Sequence, residues 1–139
     1  MKREYAVSKE WQERAERIID GSPDLWWIRN MGARICYMTS DEDKTRQDMT
    51  VFGECIRVRD LFKPLMPYEF LIVFYDINVR LAGMGEMEKD ILTYHELLHC
   101  DFREKKDGEI LWRCKRHDIE DFEVILKQYG MNWQMGGKG

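Results

Sequence analysis

Residues 94–100 read Tyr-His-Glu-Leu-Leu-His-Cys, with two histidines four positions apart and a glutamate directly after the first. On an α-helix, which turns once every 3.6 residues, His95 and His99 project from one face a turn apart, so both imidazoles can reach a single ion. Glu96 lies about 100° around from His95, too far to bind the same ion easily but placed to hold a water on it. This spacing suits a zinc site in which Glu96 takes the proton from an acidified water. The competing reading is a polar helix face on which two histidines happen to fall four apart. The intervening glutamate, the amphipathic helix around it and a preceding apolar strand weigh against that reading.

A catalytic zinc takes three protein ligands and keeps a fourth position open, and the motif supplies two. The chain holds three histidines, and the third is His117, 18 residues beyond His99. The Asp107-Gly108 pair between them turns the chain back, so His117 can return to the cleft. Glu120 and Glu123 are carboxylate rivals on the same downstream segment. Lys105 occupies the sixth position after His99, which excludes the metzincin pattern. Cys114 and Cys100 are thiolate rivals. Cys114 as a fourth ligand would close the site and make it structural.

The elements that must position these groups are legible from periodicity. Residues 8–20 predict an amphipathic helix capped by Ser8, with Trp11, Ala15, Ile18 and Ile19 as its apolar stripe. Residues 33–39 and 51–58 read as strands joined in a hairpin across a charged loop, 40–49. The run 69–76 is apolar throughout and reads as a buried strand, which at a sheet rim would pair with an extended substrate. A helix over 86–100 places Met87, Ile91, Tyr94 and Leu98 on one face. Asp107-Gly108 predicts a two-residue hairpin turn. A last helix, 117–130, ends at Gly130. Cys36 and Cys55 read as small buried hydrophobes.

The whole is an α+β fold: a small mixed or antiparallel sheet packed against the active-site helix, with an N-terminal and a C-terminal helix. At 139 residues, 44% hydrophobic and 12% aromatic, it is expected to form one domain over residues 1–134, with 135–139 as a flexible tail. A net charge of −4 argues against nucleic acid as a partner. The charged amino terminus does not read as a signal peptide, and no run approaches the roughly 18 apolar residues of a membrane span. A cytoplasmic location with reduced cysteines is the resulting expectation.

His-Glu-Leu-Leu-His, the Asp-Gly hairpin and the following Arg-His-Asp-Ile-Glu-Asp-Phe (116–122) together resemble the phage metallopeptidase domain, a small SprT-like zincin of phage and prophage genes. The resemblance covers about residues 65–130; the first 60 match only in general layout. It implies a zincin-like fold, Zn2+ as cofactor, His95, His99 and His117 as ligands, and Glu96 as catalytic glutamate. It further implies a protein or peptide substrate inside a bacterial host cell. Asp121, one turn after His117, is a candidate partner for a ligand imidazole. Tyr94, Arg113 and Arg116 are candidate donors to a developing oxyanion. The alternative to a peptidase is a non-catalytic, zinc-stabilised binding or regulatory module of phage origin, for which Glu96 would have no use. The sequence leaves the oligomeric state open.

Overall fold

Ser8 starts the first helix as its sequence predicts: its hydroxyl accepts the Trp11 N–H at 3.2 Å. In this computed structural model, which describes residues 4–115, β1 (Tyr5–Val7) leads into α1 (Lys9–Gly21). Trp11, Arg14, Ala15 and Ile19 form the buried face of α1. Pro23 then sets a 3-10 turn (Pro23–Leu25), followed by the short α2 (Trp27–Asn30).

Six strands and two helices follow among the described residues up to the second hairpin. They are β2 (Ile35–Ser40), β3 (Thr45–Arg46), β4 (Met49–Thr50), β5 (Gly53–Arg57), β6 (Phe70–Tyr75), α3 (Asp76–Leu81), α4 (Glu86–His99) and β7 (Cys100–Glu104). β8 (Ile110–Cys114) then pairs antiparallel with β7. The main sheet has the order β1-β2-β6-β5, with β2 and β6 parallel and the other pairs antiparallel. The molecule is thus mixed α+β, as its patterning predicts.

Two expectations need correction here. β2 and β5 do not form a hairpin, because β6 inserts between them. β6 is buried on both faces, so it wins a central place, and β5 and β1 are left as edges. For the same reason β6 has no free edge with which to bind a substrate strand. The charged loop also has structure of its own. Gln47 and Asp48, both at positive φ, make the two-residue turn between β3 and β4. Lys44 and Arg46 then pair with Glu54 on β5, lashing this small hairpin to the sheet.

The even-numbered residues of β6 (Phe70, Ile72, Phe74) face the principal core with Trp11, Phe52, Leu92 and Leu97. Trp11 stacks on Phe74 with ring centres 3.9 Å apart, and its indole N–H donates to Asp76 at 3.2 Å. Each such side chain contributes about 1.5–3 kcal/mol by leaving water. The opposite face of β6 carries a smaller cluster of Val73 and Tyr75 with Val51.

α4 is held at both ends. Near its start, the buried Arg14 of α1 reaches Glu86 and Asp90, each at 2.6 Å. Past its end, the β7–β8 hairpin is anchored by an aromatic cluster in which Trp27 meets Phe102 at 5.0 Å and Phe70 meets Trp112 edge-on at 6.2 Å. The hairpin loop has three residues rather than two. Lys105 accepts from Gly108 and donates to Glu109, with Gly108 at φ +85°, a conformation glycine adopts without strain. The predicted stripe on α4 is corrected as well. Met87 is exposed, while every residue from Ile91 to Leu97 is buried, because α4 packs on α1 on one side and β5 on the other.

Candidate metal centre

The second half of α4 carries the motif into the protein interior. His95 and Glu96 are each only 1% exposed, and His99 is half-buried at the last helical position. The rings of His95 and His99 lie 5.2 Å apart, centre to centre, at 72°. Two imidazoles sharing one tetrahedral ion, with metal–nitrogen bonds of about 2.0–2.1 Å, have ring centres about 5 Å apart. The pair therefore fits a shared metal ion. Their side chains adopt this spacing because they occupy one helix face a turn apart.

His99 is also fixed in tautomer. Its Nδ1 lies 2.6 Å from the Lys115 carbonyl, which can only accept, so Nδ1 carries the hydrogen. The Lys115 N–H in turn donates to the His99 carbonyl at 2.6 Å. The chain leaving β8 is thereby tied to the end of α4. Closure of the β7–β8 hairpin is what brings it back there.

Glu96 faces β5. A Cβ built on Gly53 would lie 3.1 Å from both Cγ and Oε2 of Glu96, so the glycine makes room for this buried carboxylate. Along β5 successive residues alternate faces: Gly53 and Cys55 turn toward α4, while Glu54 meets the charged hairpin and Ile56 is exposed. Sequence reading did not single out Gly53. The available signal was an isolated glycine inside a strand pattern, which marks a close approach.

The other predicted site residues part company. Tyr94 is buried in the core, and its hydroxyl donates to Asp24 at 2.5 Å. Arg113 donates to Asp101 at 2.8 Å across the hairpin. Cys114 donates to the Cys55 carbonyl at 3.4 Å. Cys55 itself is more than a small buried hydrophobe: its sulfur lies between those of Cys100 and Cys114, at 3.5 and 3.8 Å. The thiol of Cys100 beside it, with burial, pushes Cys55 well above the ordinary thiol range. His117, Glu120, Asp121, Glu123 and Arg116, together with the predicted last helix, lie outside the described residues. Among the described residues, no group of three or more His, Cys, Asp or Glu is arranged to hold a metal ion. No described helix is long and apolar enough to cross a membrane.

Comparison with curated proteins and with solved structures finds no significant match. A family model described as "Putative phage metallopeptidase" matches residues 3–137. With nearly the whole chain aligned, including the His-Glu-Leu-Leu-His turn just described, the protein belongs to the phage metallopeptidase family.

Proposed function

We propose that this protein is a zinc-dependent metallopeptidase of zincin-like fold, encoded by a phage or prophage and acting on a protein or peptide substrate in the bacterial cytoplasm. The observation that carries the reading is the convergence of three groups on one buried helical turn. Two imidazoles stand at the separation of a shared ion, and the intervening Glu96 is pressed against Gly53. Burying a carboxylate costs several kcal/mol unless charge or hydrogen bonds compensate it. A metal ion held by the flanking imidazoles would add positive charge beside it.

His95 and His99 would hold the metal through their ring nitrogens. His117 is the proposed third ligand. Lys115 is hydrogen bonded to His99, and a chain of two residues spans at most about 7 Å. Asp121 would accept the second ring N–H of His117 and fix its tautomer. The metal, when bound, supplies an acidified water and a positive charge for the substrate carbonyl. Glu96 accepts a proton at its carboxylate during attack and returns it to the departing amine. The packing of α4 between α1 and β5 holds that carboxylate where water is scarce, so its proton transfers occur without competition from solvent. Residues 1–134 would form one domain around this turn.

The test has two parts. Metal content of protein purified without added zinc should be one ion per chain in wild type and near zero in His117→Ala, with Glu120→Ala close to wild type. Glu96→Gln should retain the metal and the fold while losing about 10²–10⁴-fold in peptide hydrolysis. Unchanged cleavage by Glu96→Gln would remove the general-base role. Metal lost with Glu120→Ala but kept with His117→Ala would move the third ligand to the carboxylate.

A further inference from the structure

Three thiols from three strands meet beside the metal-binding turn. Cys55 of β5 lies at the centre, with its sulfur 3.5 Å from that of Cys100 on β7 and 3.8 Å from that of Cys114 on β8. Cys100 and Cys114 face each other across the β7–β8 ladder. All four cysteines of the chain are free thiols, and the three in this cluster differ in access. Cys100 is 4% exposed, Cys55 is intermediate and Cys114 is exposed. A disulfide has a sulfur–sulfur bond of about 2.05 Å, so Cys114 and Cys55 need to close by only about 1.8 Å, within the reach of side-chain rotation.

Cys36 stands apart. It opposes Leu71 on β6, whereas Cys55 opposes the neighbouring Ile72. The two cysteines therefore lie two strands apart and on opposite faces of the sheet. Cys36 is an internal control for any reagent that attacks thiols at random.

We propose that Cys114 and Cys55 form a two-electron redox site, in which a peroxide oxidises the exposed Cys114 and Cys55 closes the disulfide. In the first step the Cys114 sulfur attacks one oxygen of the peroxide. The O–O bond breaks, an S–O bond forms, and the second oxygen leaves as water, or as an alcohol for an organic peroxide. The Cys55 sulfur then attacks the Cys114 sulfenic acid, the S–O bond breaks, and a second water leaves with the Cys55 proton. Two thiols are oxidised by two electrons and one peroxide is reduced by two. Cys100 lies too deep to meet the oxidant first.

The contact with the Cys55 thiol and partial burial push the Cys114 thiol up, so little thiolate is present at neutral pH. The bond ties the edge strand β5 to β8. One end lies two residues from Gly53, which touches Glu96, and the other is followed by Lys115, which holds His99. The chemistry stands on these thiols alone and does not require that the protein be a peptidase.

The experiment is prolonged treatment of the full chain with hydrogen peroxide, followed by alkylation and non-reducing peptide mapping. The expected result is one intramolecular disulfide per chain joining the Cys55 and Cys114 peptides, with Cys36 and Cys100 alkylated. Cys100→Ser should form the same bond. Cys55→Ser should instead leave a sulfenic acid at Cys114 that dimedone captures, and Cys55→Ala serves if the serine variant does not fold. Cys114→Ser should slow oxidation of Cys55 by about tenfold or more. A Cys55–Cys100 bond with Cys114 alkylated would overturn the proposal. So would linkage only between chains, or oxidation of Cys36 as fast as of Cys114.

Discussion

Gly53 and Glu96 pack closely beside the candidate metal centre: a methyl group on Gly53 would lie 3.1 Å from both Cγ and Oε2 of the glutamate. The relationship couples the edge strand β5 to the turn that carries both histidines. A residue with no side chain thus decides where the proposed general base can sit.

Gly53→Ala is predicted to fold and to bind metal, because its neighbour is a side chain that can yield by a few tenths of an ångström. The displaced carboxylate should cut peptide hydrolysis by about 10–100-fold, the scale on which small misplacements of a catalytic group act. Metal titration and steady-state kinetics on the same preparation separate the effects. Wild-type turnover in Gly53→Ala would mean that the position of Glu96 is not constrained by β5.

Tyr94 stands next to His95 in sequence, yet its hydroxyl is committed to Asp24 in the turn after α1. Tyr94→Phe should therefore cost about 1–2 kcal/mol of stability, the scale of one lost bond to a charged group. Its turnover should stay within about threefold of wild type at a temperature where both are folded. A hundredfold loss of turnover at unchanged Tm would instead make Tyr94 part of the reaction.

Glu69 illustrates the acid side of stability. Burial would raise its pKa, but hydrogen bonds from the Arg34 guanidinium and backbone N–H prevail and hold it below the usual carboxylate range. A carboxylate lowered in the folded state contributes stability above its unfolded pKa, about 4.3, and that contribution is lost as pH falls through the lower folded value. Glu69→Gln should destabilise by about 1–2 kcal/mol at pH 7, an estimate kept low because Arg34 is half exposed and screened by solvent. The difference should shrink toward pH 3. Urea unfolding at the two pH values checks this, and a gap that persisted or widened at pH 3 would contradict the assignment.

Much of the site was legible because it is local. His95, Glu96 and His99 lie within five residues, and helical geometry alone puts the two imidazoles on one face. The cap at Ser8, the buried strand 70–75 and the helix 86–99 follow from short-range periodicity in the same way. The predicted helix 117–130 and the third ligand, His117, rest on sequence and family resemblance, since they lie outside the described residues.

What only the tertiary structure decided is long-range. Strand order is one case: residues 35–40 and 53–57 each read as strands, but nothing in their alternation says that β6 lies between them. The apposition of Gly53 to Glu96 spans 43 residues, and the meeting of Cys55 with Cys114 spans 59. The burial of α4 is another case, because polar Thr93, His95 and Glu96 would lie exposed on a surface helix and become interior only where α4 packs against α1 and β5. Residue types and spacings specify the chemistry a helical turn can perform. Whether that turn is dry, which strand lines it and which thiols gather beside it depend on packing between segments distant in the chain. Periodicity carries no record of such contacts.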